Sequence, residues 1–156
     1  EHPEVKFQYQ IIGSGPQKDF LQRLVEELNL SSLVKFMGPQ DHDHVIEAMN
    51  KADIFFLPSH NEVLPVVLME AQASALPVVA TNVGSIAEIV AHGQSGYLVP
   101  AGDIQGMMKM LRYLLLHPDK QQEMGKIGAS LVRERYYGIK KLNMRLVDIY
   151  ESLNNR

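Results

Sequence analysis

Apolar positions along the chain switch repeatedly between two spacings, and the switching predicts alternating strands and helices. Phe7 to Ile12 reads as a strand, and from Gln17 to Leu28 the residues Phe20, Leu21, Leu24, Val25 and Leu28 return at helical spacing on one face. Val34 to Met37 is a second short strand. A helix from about Asp43 to Lys51 follows, with Val45, Ile46 and Met49 facing inward. Ile54 to Leu57, a helix from Pro65 to Ala75 and a strand from Val78 to Thr81 complete a central βαβ. Continuous Val, Ile and Phe runs of this length suit parallel strands covered on both faces and joined by right-handed crossovers. The expected fold class is α/β, a parallel sheet flanked by helices.

The last third changes character. After a short strand at Tyr97 to Val99, the pattern gives three helices: Asp103 to His117, Pro118 to about Tyr136, and Ile139 to about Asn154. Asp103 is placed to cap the first, and Pro118 suits the first turn of the second. Met107, Met108, Met110, Leu111, Leu114 and Leu115 read as core rather than as ligand contacts.

Composition narrows the function classes. With 156 residues, 46% apolar and 21% charged, the chain can bury a core of its own as one globular domain. A net charge of −3 gives no reason to expect nucleic acid as a partner. Lys126, Arg133, Arg135, Lys140, Lys141 and Arg145 gather late in the chain, but Glu134, Asp148 and Glu151 interleave with them. That mixture reads as a solvated helix face, with peripheral contact to an anionic membrane as the sharper alternative. Cysteine is absent, which fits a reducing, cytoplasmic setting, and no apolar stretch reaches membrane-spanning length.

The chemistry concentrates between Pro58 and Ser74. Glu62 and Glu70 stand there with seven residues between them in an otherwise apolar run, and from residue 24 to 108 the only Lys or Arg residues are Lys35 and Lys51. A carboxylate in such a setting needs donors, and a ligand rich in hydroxyls supplies them better than scarce local cations. Glu62 falls in the loop at the carboxyl end of a predicted strand, and Glu70 between one and two turns into the next helix. Pro65 has the fixed φ of a first helical position. Loops at the carboxyl ends of parallel strands are where open α/β sheets bind ligands, and a helix start offers N–H groups to phosphate. Phosphate plus vicinal diols describes a nucleotide sugar.

Further stretches lie in register with this pair: Ile11-Ile12-Gly13-Ser14-Gly15-Pro16, Val34-Lys35-Phe36-Met37-Gly38, Ala52-Asp53-Ile54-Phe55-Phe56-Leu57-Pro58-Ser59, Leu76-Pro77-Val78-Val79-Ala80-Thr81, Glu88-Ile89-Val90 after Gly84, and Gly96-Tyr97-Leu98-Val99-Pro100. Together they resemble the C-terminal half of a GT-B glycosyltransferase of family 4, from about Pro3 to about Tyr150. The resemblance implies a Rossmann-like donor-binding domain spanning residues 1–156. It also implies a fragment that lacks the N-terminal acceptor domain and the first strand-helix unit with its Arg and Lys diphosphate clamp. That N-terminal domain of the same protein and a UDP- or GDP-sugar are the implied partners. The implied reaction is sugar transfer to an acceptor hydroxyl with retention, in bacterial polysaccharide or glycolipid synthesis, by the full-length protein, with no metal and no cofactor. The fragment alone is expected to be inactive.

Carried over position by position, Glu70 would accept from the ribose hydroxyls, and Glu62, the catalytic candidate, would hold hydroxyls of the donor sugar. The N–H groups of Val63 and Leu64 would face the sugar, and those of Val66 and Val67 the diphosphate. Gly38 and Pro39 would border the base, and Gly13 would leave room for ligand. Val63 and Ala75 stand where the family usually has glycine. Val63 motivates one rival reading, a non-catalytic scaffold; a sugar-nucleotide epimerase or hydrolase on the same architecture is another.

Other residues have plainer readings. Gly13-Ser14-Gly15 hints at a dinucleotide fingerprint, but Lys18 replaces the third glycine. His42 and His44, alternating with Asp41 and Asp43, suggest a metal less than a polar helix entry with an Asp cap. Ser59 and Asn61 are expected to satisfy turn backbone, His60 to be a polar loop residue or to touch a ligand phosphate or Glu62, and Glu88 to meet either ligand or a backbone N–H near Gly84.

Overall fold

The computed structural model describes residues 6–135; the expected helix Ile139 to Asn154 and the late basic residues Lys140, Lys141 and Arg145 lie outside them. The chain divides after Lys51 into two compact units. The first carries β1 (Tyr9–Ile12), α1 (Lys18–Glu27), β2 (Val34–Gly38) and α2 (His42–Lys51). The second carries β3 (Phe55–Leu57), α3 (Val66–Ala73), β4 (Val78–Thr81), α4 (Ile86–Ile89), β5 (Gly96–Val99) and α5 (Ile104–Leu116), followed by a helix over residues 118–135. Every strand pairing in both sheets is parallel. The α/β, Rossmann-like class expected from the sequence therefore holds.

In the first unit β1 pairs with β2, Tyr9 opposite Val34, and the Gly13 amide extends the pairing by donating to the Gly38 carbonyl at 2.8 Å. Leu21, Leu24 and Val25 of α1 are half-buried as the periodicity predicts, but Phe20 and Leu28, at the edges of that face, stay exposed. Helix α1 closes with Asn29 at φ 55, its amide donating to the Glu26 carbonyl and that of Leu30 to the Val25 carbonyl. This is a Schellman turn, and Asn tolerates its left-handed position. Asp41 caps α2, accepting the His44 amide at 2.9 Å and meeting its ring Nδ1 at 2.6 Å. The Asp cap expected at that polar helix entry is thus present.

In the second unit the strand order β3-β4-β5 follows the chain. Central β4 is buried at all four positions, whereas β3 is half-buried throughout; among the described residues of this unit, β4 alone pairs with a strand on each side. The core joins Val79, Val99, Met107, Leu114 and Met124, with Met110 and Leu111 packed against it. Met108 departs from the core expectation; it is exposed, since α5 turns only one stripe inward. Asp103 caps α5 by accepting the Gly106 amide at 2.9 Å, and Pro118 opens the following helix, as expected. That helix meets the end of α3 through glycine: a Cβ at Gly125 would strike the Ala75 carbonyl, and one at Gly128 would lie 3.1 Å from the Gln72 side chain.

Candidate donor site

The loop between β3 and α3, residues 58–65, carries Glu62, and Glu70 is the fifth residue of α3. Both carboxylates occupy the positions expected of them relative to strand and helix. Glu70 stands about 6 Å along the axis from the first helical residue. Pro65 precedes the helix rather than opening it: at φ −75 and ψ 92 its backbone is still extended, while its carbonyl accepts the Leu68 amide at 3.0 Å. Proline has no polar side chain with which to cap Val66 and Val67, so the first turn of α3 offers its amides outward. Val66 is exposed and Val67 half-buried. Apart from Glu70 and Gln72 the helix is apolar, and it sinks Leu68, Ala71 and Gln72 into the core.

The side chain of Glu62 is half-buried and held locally. Ser59 donates to Oε1 at 2.7 Å, so its hydroxyl serves the carboxylate rather than the turn backbone. Thr81, at the end of buried β4, donates in turn to the Ser59 carbonyl. His60 and Glu88 are exposed, and Asn61 likewise.

A second support comes from the turn before α4. Gly84 has φ 53 and lies so close to the Glu62 carbonyl that a Cβ there could not fit. Its neighbour Ser85 donates its hydroxyl to the Val63 carbonyl. Sequence reading singled out Gly84 only as part of a motif and missed Ser85 altogether. A serine at a helix entry ordinarily reads as a cap, and nothing local reveals that its partner lies 22 residues earlier.

Val63 is 85% exposed and Leu64 57%, with backbones outside the left-handed region: among the described residues the non-glycine positions with positive φ are Asn29 and Ala75. Valine at position 63 therefore carries no left-handed strain. Ala75 is the residue that bears the cost of a missing glycine. It ends α3 at φ 56 in a Schellman turn, its amide donating to the Gln72 carbonyl and that of Leu76 to the Ala71 carbonyl. Gly13 (φ 122) and Gly38 (φ 68) belong to the first unit; both adopt backbone conformations that favour glycine, with open space where a Cβ would project. Pro39, next to Gly38, is exposed.

Comparison with known proteins fits this arrangement. The chain is 32% identical over 150 residues to N-acetyl-alpha-D-glucosaminyl L-malate synthase of Bacillus anthracis, covering 96% of this chain and 38% of that protein. It is 38% identical over 113 residues to the putative colanic acid biosynthesis glycosyltransferase WcaL of Salmonella typhimurium, covering 69% of this chain and 28% of the relative. The chain thus spans 38% and 28% of the length of these two relatives. Its backbone is similar to that of Anabaena HepE solved in complex with UDP, with a TM-score of 0.79 over 94% of this chain and 41% of that one, at 22% identity. Residues 2–130 match the family described as glycosyl transferases group 1, and the chain belongs to that family.

Proposed function

We propose that this chain forms the donor-binding half of a retaining glycosyltransferase that moves a sugar from a nucleoside diphosphate to an acceptor hydroxyl. The observation that carries the reading is the pairing of two differently supported carboxylates with one uncapped helix start. Glu62 is oriented by Ser59 in the loop after β3, Glu70 projects from α3, and the Val66 and Val67 amides lie between them in sequence. Carboxylates accept from ribose and sugar hydroxyls; helix N–H groups stabilise a diphosphate.

In the reaction, the bond from the anomeric carbon to the diphosphate oxygen breaks, a bond to the acceptor oxygen forms on the same face, and the acceptor's proton passes to the departing diphosphate. Glu62 orients the sugar through its hydroxyls, Glu70 the ribose, and the α3 amides take up charge developing on the leaving group. The acceptor site and the Arg and Lys diphosphate clamp belong to further parts of a full-length protein. A role in bacterial polysaccharide or glycolipid assembly draws support from the similarity to a protein named for colanic acid biosynthesis. A nucleoside diphosphate donor fits a reaction at the cytoplasmic side of a membrane, and among the described residues no helix is long and apolar enough to cross one. Left-handed strain gives the scaffold alternative no support, because Val63 lies outside that region.

An NMR titration of the labelled chain with UDP, GDP and AMP, repeated on Glu70→Ala, tests the reading. Expected are saturable shifts around Gly13, Gly38 and residues 62–70, stronger for one diphosphate and lost in the variant. Absence of any saturable response to either diphosphate in the full-length protein would overturn it.

A further inference from the structure

We infer that Ser85 is a positioning residue for the donor sugar: through the Val63 carbonyl it fixes the direction in which the Leu64 amide points. The inference rests on the donor-site reading above and adds a residue that the reading does not use. A peptide unit is planar and trans, so holding its C=O determines where its N–H aims, on the opposite side. No peptide bond among the described residues is cis. The carbonyl of Val63 shares its plane with the amide of Leu64, and the carbonyl of Glu62 shares its plane with the amide of Val63. The turn before α4 engages both carbonyls, Gly84 by close approach to that of Glu62 and Ser85 by a hydrogen bond to that of Val63. One turn thereby sets two consecutive peptide planes, leaving the Val63 and Leu64 amides on the face away from it.

The use of the Ser85 side chain supports a positioning role. Ser85 occupies the residue before α4, where its hydroxyl could cap the helix, yet it makes no capping bond and donates across 22 residues to the loop. Neighbouring supports act elsewhere: Ser59 and Thr81 serve the Glu62 side chain and the Ser59 carbonyl. The Leu64 amide therefore owes its direction chiefly to Ser85, while the α3 amides owe theirs to the helix.

This separation gives the test its contrast. In the full-length protein, affinities for UDP against UDP-glucose and for GDP against GDP-mannose are measured calorimetrically in wild type, Ser85→Ala, Ser85→Thr and Glu70→Ala. Losing one hydrogen bond predicts about a three- to tenfold weaker affinity for the sugar-bearing donor in Ser85→Ala. The bare diphosphate is expected to change less than about twofold, with Ser85→Thr restoring the sugar affinity. Ser85→Gly, which also lacks the hydroxyl, gives the same contrast should the alanine variant fold poorly. Wild-type behaviour of Ser85→Ala toward the sugar donor, with Glu70→Ala still impaired, overturns the inference and leaves the donor site standing. Equal weakening of both ligands makes Ser85 merely structural and also overturns it. If no sugar-bearing donor binds differently from its bare diphosphate in wild type, the amides do not face a sugar and the inference falls. If Glu70→Ala has no effect on either diphosphate, the donor-site reading falls with it.

Discussion

The two units of this chain use the same βα grammar to different depths. In the first, a two-stranded sheet and two helices leave Met49 as the one buried apolar residue among its described residues, and it is still 5% exposed. In the second, β4 is sealed from end to end and Leu68, Ile86 and Leu114 are wholly inaccessible. The glycines show the same contrast. Gly38 holds positive φ with nothing around its missing side chain, whereas Gly84 holds positive φ and also makes way for the Glu62 carbonyl. Left-handed glycines in the first unit serve a turn; in the second one serves a contact. Precise loops need dense neighbours, and the Glu62 loop has them.

The most severe way to sharpen this contrast is Leu68→Ala, which should destabilise the chain by about 3 kcal/mol in urea unfolding. Phe20→Ala, at a side chain 57% exposed on α1, should cost about 0.5 kcal/mol. Equal losses would show that the first unit hides as much core as the second.

Gly84→Ala comes next. Left-handed strain and the Glu62 carbonyl act together, so a cost of about 2 kcal/mol and loss of donor turnover in the full-length protein are expected. Gly38→Ala carries backbone strain alone, about 1 kcal/mol, visible as a smaller drop in thermal midpoint. Two matching Schellman turns then allow a change of opposite sign. Ala75→Gly should stabilise by about 1 kcal/mol because it relieves a strained alanine, and Asn29→Gly should lie within about 0.5 kcal/mol of wild type.

The smallest effect is one of pH. The backbone hydrogen bond from His44, then the one from its ring, hold the Asp41 carboxyl below its ordinary 3.8. A carboxylate lowered in the folded state adds stability above its unfolded value and loses it as pH falls through the folded one. The first turn of α2 should therefore loosen only below pH 3.8, seen as a change in the His44 amide resonance while β4 amides stay protected. Loosening at neutral pH would assign the cap to another group.

Element identity was legible from the sequence wherever a period ran long enough. Helix α1 and the strands Val34 to Met37 and Val78 to Thr81 fall within a residue or two of expectation. Helix α3 was expected from Pro65 but starts at Val66, since proline's φ suits a cap as well as a first turn and only ψ distinguishes them. Helix α4 escaped notice because four residues cannot show a helical period. The carboxylates Glu62 and Glu70 stood out because charge in an apolar run is rare. Ser85 did not, for a serine beside a glycine looks like any turn, and its importance lies in a contact between distant segments. Phe20 and Met108 mark the other limit: periodicity gives a face, but how much of that face is covered depends on neighbours.

Strand order in the second unit follows chain order, and this has a consequence for how the molecule is made. As the polypeptide emerges from its N-terminal end, β3 and the Glu62 loop appear well before the residues that hold them. Thr81 arrives as the last residue of β4, and Gly84 and Ser85 follow it. The loop therefore completes its contacts only once the Gly84–Ser85 turn is present to meet two of its carbonyls. Until that moment a growing chain carries both glutamates, with Ser59 already beside Glu62 in sequence, but lacks the turn that meets the Glu62 and Val63 carbonyls.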